Sequence, residues 1–168
     1  MTQPHPMLVA QSRINTPLGP LTAAATTAGL AGLWFDDQAH HPGALAVPLA
    51  PQHPVLQAAA LAVAAYFKGE AEPLRDLPLD LHGTAFQLAV WRALIALRRG
   101  DTATYGQIAR TVGSPAAVRA AGAAIGRNPV SLLVPCHRVL GKDGSLTGYA
   151  GGLQRKQALL RAEGVIPG

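Results

Sequence analysis

Two helix-start signals of one form, Thr84-Ala-Phe-Gln87 and Thr104-Tyr-Gly-Gln107, constrain the second half of this chain most strongly. In each, the Thr side chain accepts a backbone N–H three residues on, and the Gln side chain reaches back to the Thr N–H. After the first signal, Phe86, Val90, Trp91, Leu94 and Leu97 recur at helical spacing. That stripe faces a core, and Trp91 belongs to it. The second signal opens a short helix that runs to Val112, where Gly113 ends it. Ser114-Pro115 then reads as an N-cap and a first-turn proline. The helix it opens extends to about Arg127, and Asn128-Pro129 stops it. A last helix spans Leu153 to Ala162.

The first half reads as β followed by helix. Met7 to Ile14, Leu21 to Thr27 and Leu30 to Phe35 are strand candidates. Thr16 to Pro20 and Ala28-Gly29 supply the turns between them. Asp37 to Pro51 is a loop, and Pro54 to Lys68 a helix stopped by Gly69. Pro73 to Leu81 is extended and Pro-containing, which sets domains of 1–80 and 81–168. The fold class expected is α+β: a small sheet-and-helix domain, then a mainly helical one.

Composition narrows the function. Hydrophobic residues are 49% of the 168 and charged residues 14%, the reverse of a disordered chain. The weakly polar stretch Val55 to Phe67 is too short to span a bilayer. Met1 to Pro6 lacks a secretory pattern, and a single Cys excludes an internal disulfide. A soluble cytoplasmic protein without a membrane partner is expected. The net charge of +5 favours contact with a polyanion.

Two short capped helices around Gly113 form either a helix-turn-helix or an ordinary helical hairpin. The second helix, Ala116-Ala-Val-Arg-Ala-Ala-Gly-Ala-Ala-Ile125, decides what such a unit could bind. Reading base edges in the major groove needs several polar side chains, and this helix has only Arg119. Its thinness suits close backbone approach to a minor groove, with Arg119 inserted and little sequence preference. That argues against a gene regulator.

The segment Val134-Pro-Cys-His-Arg-Val139 carries the chemistry. Cys136 is either an inert core thiol or a nucleophile served by a base. Neighbours in an extended chain point to opposite faces, so Cys136 and His137 need a bend or a bridging water to communicate. Glu163, at the end of the last helix, sits where the helix dipole disfavours a carboxylate. It either seeks a cationic or imidazole partner, as in nucleophile–base–carboxylate sets, or is solvated.

Together these segments resemble the O6-alkylguanine-DNA alkyltransferases, or methylated-DNA–protein-cysteine methyltransferases, of bacterial constitutive type. The match runs from Gly83 to Gly164. It rests on Val134-Pro-Cys-His-Arg-Val139 and Thr147-Gly-Tyr-Ala-Gly-Gly-Leu153, with Thr104-Tyr-Gly-Gln-Ile-Ala109 and Arg127-Asn-Pro129. The resemblance implies a ribonuclease-H-like N-terminal domain and a C-terminal domain with a helix-turn-helix and a Cys loop. It implies DNA repair by direct reversal: one irreversible transfer of an alkyl group from O6-alkylguanine, and from O4-alkylthymine, to Cys136. The damaged base is flipped from the minor groove of double-stranded DNA, because a thiolate cannot reach O6 within the stack. His137 would take the thiol proton through a water, Glu163 would orient His137, and Tyr105 would protonate guanine N3. Asn128 would tie the recognition helix to the Cys loop. Arg119, Tyr105, Ala120, Gly122 and Ser114 would contact DNA, with Arg119 filling the flipped base's place. Val139, Tyr149, Ala150, Gly151 and Trp91 would line the pocket. No cofactor is implied, and the family precedent is a monomer.

Some positions depart from family patterns. Ala150 stands where some members have Ser, and small Gly151 leaves room for larger adducts. Relatives with a zinc site use further cysteines, which this chain lacks. His40-His41 alone falls short of the usual four ligands, so no metal is expected. The runner-up function is a non-catalytic, alkyltransferase-like lesion-binding protein. A cysteine hydrolase on Cys136, His137 and Glu163 is another alternative.

Overall fold

A computed structural model describes residues 6–70 and 77–167. The chain divides into two compact units, residues 1–82 with 129–133, and residues 83–128 with 134–168.

In the first unit, β1 (Ala10–Ile14), β2 (Leu21–Ala25) and β3 (Leu30–Phe35) form an antiparallel sheet in the order β1-β2-β3. β1 starts later than its apolar residues suggest, and Met7 is solvent-exposed. β2 stops at Ala25, because Thr26 turns the chain: its Oγ1 accepts the N–H groups of Ala28 and Gly29 at 3.1 and 3.2 Å. Every residue of β3 is buried, as a strand covered on both faces must be. One cover is α1 (Pro54–Phe67), which turns Leu56, Ala59, Val63 and Tyr66 inward and packs on all three strands. Its outer face exposes Gln57, Leu61 and Ala64.

The outer edge of β3 is satisfied from far along the sequence. Leu30 N–H donates to Pro78 O at 2.8 Å, and Asp80 N–H donates to Leu30 O at 2.8 Å. Residues 77–81 are therefore extended, as expected; the expectation for 73–76 lies outside the described residues. Gly29 permits this approach, since a Cβ there would stand 2.7 Å from the Pro78 carbonyl oxygen. Further along β3, Leu33 N–H donates to Pro129 O, and Ser131 N–H returns to Leu33 O, each at 2.8 Å. This segment leads to the Cys loop, and nothing local in its sequence marks it as part of the sheet unit. Leu132 follows with φ of 72°, a left-handed conformation that is costly for a γ-branched residue.

The second unit contains α2 (Ala85–Ile95), β4 (Ala103–Thr104), α3 (Tyr105–Thr111), α4 (Val118–Gly126), β5 (Val139–Leu140) and α5 (Leu153–Ala162). Both capping boxes form as the sequence indicates, at Thr84 with Gln87 and at Thr104 with Gln107. Trp91 is buried, and its Nε1–H donates to Ala124 O at 2.8 Å, fastening α2 to α4. That satisfies the one polar atom an indole brings to a core. α3 packs on α4, with Ala109 fully buried at the contact and Gly113 at φ 79° in the turn.

The start of α4 departs from expectation. Ser114-Pro115 does not cap it: the helix starts at Val118, with Ala117 as an N-cap that makes no side-chain bond. Ser114 instead closes a turn, its carbonyl accepting Ala117 N–H at 2.8 Å. The turn uses up the residues that the N-cap pattern assigns to the helix.

Among the described residues no helix is long and apolar enough to cross a membrane. No group of three or more His, Cys, Asp or Glu is placed among them to hold a metal ion. His41 Nδ1 accepts Gly43 N–H at 2.9 Å, which accounts for that imidazole locally.

Candidate active site

Cys136, His137 and Arg138 form a single turn of 3-10 helix between Pro135 and β5. The turn supplies the bend that an extended Cys-His pair would lack. Cys136 N–H donates to Val134 O at 2.8 Å, and Asn128 Nδ2 donates to the same carbonyl at 2.7 Å. Asn128 follows α4 and also hydrogen-bonds Cys136. One buried amide thus connects the end of α4 to the thiol's own loop. β5 pairs in parallel with β4, Ala103 opposite Val139 and Thr104 opposite Leu140. This short pairing brings the start of α3, and hence Tyr105, beside the Cys segment.

The charged groups that follow the thiol in sequence are buried together with Glu163. His137 Nε2 and Glu163 Oε2 lie 2.6 Å apart, with both side chains completely buried. Arg138 Nε donates to Glu163 Oε1 at 2.7 Å, and Arg138 Nη1 donates to Leu97 O at 2.7 Å. Glu163 is the C-cap residue of α5, and it is buried, not solvated. At a helix C-terminus its charge is opposed by the dipole, and the guanidinium and imidazole offset that opposition.

Burial pushes the Cys136 thiol above its ordinary pKa; the Asn128 hydrogen bond and the Lys156 charge oppose that rise. Burial pulls His137 down, Glu163 pulls it back up, and the Arg138 and Lys156 charges lower it further. The resting pair at neutral pH is therefore a thiol beside a neutral imidazole. Such an imidazole is able to accept a proton.

Lys156 is a site residue that the sequence motifs do not single out. It has no exposed surface, and its Nζ donates to Val139 O at 2.6 Å, Thr147 O at 2.8 Å and Gly148 O at 3.4 Å. Burial lowers its pKa to about 8, and a thiolate on Cys136 opposes that fall when it forms. A signal is nonetheless present in the pattern: Lys156, Leu159, Leu160 and Glu163 share the buried face of α5 at positions i, i+3, i+4 and i+7. Two charged residues on an apolar stripe point inward to partners.

The loop before α5 closes over this cluster. The ring of Tyr149 stands edge-on to His137, with centroids 6.4 Å apart at 75°. Gly151 is buried, and its carbonyl accepts Arg155 Nη1 at 3.0 Å; Ala150 is half-buried. Tyr105 is half-buried, and its Oη lies 3.0 Å from Thr147 Oγ1. Gly122 on α4 faces the Tyr105 ring, where a Cβ would make ordinary contact at 3.6 Å. Arg119, Ala120 and Ala123 are exposed on α4, and Arg127 is exposed at its end. The outer face of α4 is thus nearly flat, with an Arg toward either end.

The structure brings together Cys136, His137, Asn128, Val139, Tyr149 and Glu163 around one buried turn. Arg119 and Ala120 are exposed on α4, and Ser114 is half-buried in the turn before it. Trp91 is engaged in the α2–α4 packing.

Comparison with known proteins adds relatives to this geometry. Residues 85–165 match the family model described as the 6-O-methylguanine DNA methyltransferase DNA-binding domain. Residues 9–81 match the model for that family's ribonuclease-like domain. A methylated-DNA–protein-cysteine methyltransferase of Mycobacterium bovis is 44% identical over 89% of both chains. One from Haemophilus influenzae is 50% identical over 66% of this chain and 62% of its own. Among solved structures, Mycobacterium tuberculosis OGT in complex with DNA superposes with a TM-score of 0.82. It is 43% identical and covers 92% of each chain.

Proposed function

Because the chain belongs to the 6-O-methylguanine DNA methyltransferase family, we propose that it repairs alkylated DNA by a single transfer of the alkyl group to Cys136. The observation that carries this reading is the buried set of Cys136, His137 and Glu163, with the 2.6 Å contact between the last two.

His137 takes the thiol proton through a bridging water, and Glu163 holds the imidazole and stabilises the imidazolium as it forms. The thiolate sulfur attacks the alkyl carbon in line with the C–O6 bond. A C–S bond forms, the C–O6 bond breaks, and its electron pair stays with the guanine. Tyr105 gives its phenol proton to guanine N3, which makes the base a better leaving group. The imidazolium proton then restores the phenol. A thioether has no easy route back to thiol, so each molecule acts once. With excess alkylated duplex, the released product should plateau at one equivalent of protein. Continued turnover would instead mark a cysteine hydrolase.

The damaged base reaches Cys136 by flipping out of double-stranded DNA, since the O6 atom is shielded within the stack. The flat, small-residue face of α4 supports entry along the minor groove with little sequence preference. Tyr105, Ala120, Gly122 and Ser114 border that approach. Arg119 fills the space the base leaves. Arg119→Ala should therefore slow repair of an alkylated duplex at least tenfold, on the order of one lost charged contact. Reaction with free O6-benzylguanine should stay nearly unchanged; equal losses on the two substrates would contradict the finger role. The pocket of Val139, Tyr149, Ala150 and Gly151 accepts O6-alkylguanine and, with a similar exocyclic oxygen, O4-alkylthymine. The protein acts as a monomer in the cytoplasm.

A further inference from the structure

Tyr105 delivers a proton in the proposed reaction, and a phenol is useful for that only if its O–H points at the base. The ring itself is placed by the first position of α3, and Gly122 on α4 leaves room beside it. Neither fixes rotation about the C–O bond. The hydroxyl of Thr147 is placed to do so: Thr147 Oγ1 lies 3.0 Å from Tyr105 Oη, and with Thr147 as the donor the phenol proton is left to point elsewhere. Thr147 is itself held in place, because its carbonyl accepts the buried Lys156 Nζ at 2.8 Å.

We infer that Thr147 is a positioning residue for Tyr105, occupying the phenol oxygen so that its proton is aimed outward and stabilising that oxygen as the proton leaves. A donor to the oxygen of a departing proton strengthens as negative charge develops there, so its contribution falls mainly on the transition state. The arrangement also joins two parts of the site. Lys156 holds the carbonyls of Val139 and Thr147, and Thr147 carries that order to Tyr105 on α3.

This inference rests on Tyr105 being the proton donor, and the test separates the two ideas. Single-turnover transfer rates and duplex affinities are measured, with O6-methylguanine duplex as probe, for Thr147→Val, Thr147→Ser, Tyr105→Phe and the double variant Tyr105→Phe/Thr147→Val. Thr147→Val keeps the shape and removes the hydroxyl. It should slow transfer about threefold to tenfold, as expected for one neutral hydrogen bond, with duplex affinity changed less than about twofold. Thr147→Ser keeps the hydroxyl and should restore most of the rate. In the Tyr105→Phe background, Thr147→Val should add no further loss, because the bond is already gone.

If Tyr105→Phe transfers at the unaltered rate, the proton-donor role fails and the positioning role of Thr147 fails with it. If Tyr105→Phe is slow but Thr147→Val is not, only the role of Thr147 is overturned. That role is equally overturned if Thr147→Val costs as much with Phe at position 105 as with Tyr.

Discussion

His137→Gln is expected to slow alkyl transfer by about 10²- to 10⁴-fold, the usual worth of a positioned general base. Gln is chosen because it can still hydrogen-bond Glu163 but cannot take up a proton at working pH. His137 has no exposed surface, and its ring is flanked by Glu163 and Tyr149. The substitution therefore tests proton acceptance more than packing. Burial raises the Cys136 pKa, so the thiol does not ionise unaided near neutrality. Without the imidazole, the remaining help is the Lys156 charge and the Asn128 hydrogen bond. Alkylated-duplex affinity should hold, since His137 lies beneath the surface proposed to meet DNA.

The pH profile gives the same prediction a second readout. His137 titrates below its ordinary value of 6.5, so the unaltered protein keeps its rate as pH falls through 6.5. The rate declines only further into acid, once the imidazole is charged. The Gln variant should lack that acid limb. A loss of less than tenfold, with the acid limb intact, would remove His137 from the mechanism.

Glu163→Ala should cost about 3–5 kcal/mol of stability, the range for breaking a buried ion pair from one side. The carboxylate binds His137 through one oxygen and Arg138 through the other. Its loss leaves a buried guanidinium with only Leu97 O as a partner in this network. Glu163→Gln should cost less, since the amide oxygen still accepts from one of the two. Urea unfolding monitored by fluorescence measures both. Stability also depends on pH through His137. Its folded pKa is depressed, so the unfolded chain binds the proton first, and stability falls as pH drops below 6.5. A Glu163→Ala protein as stable as the parent would mean that the pair is solvated, against its geometry.

Much of this site is legible in the sequence residue by residue, for identifiable reasons. The capping boxes at Thr84 and Thr104 are local signals, and both form. The fold class, a small sheet unit followed by a helical one, follows from strand and helix periodicity and from the family resemblance. Glu163 stands out by its awkward place at a helix end, and the structure gives it two partners. Three features escape, each for its own reason. The pairing of Pro129 and Ser131 with Leu33 joins segments far apart in sequence, and no period reveals it. The start of α4 at Val118 depends on the Ser114 turn, which competes with the N-cap pattern. Lys156 escapes because a lysine on a helix is ordinarily solvated; only its place on the apolar stripe betrays it.

The central claim is that Cys136 ends the reaction carrying the alkyl group. Intact-mass measurement after incubation with O6-methylguanine duplex tests it most directly. The unaltered protein should gain the mass of one methyl replacing one hydrogen, located on the peptide containing Cys136, and Cys136→Ala should gain nothing. Tight binding of the damaged duplex with no change in mass, or a methyl group on any other residue, would contradict the claim.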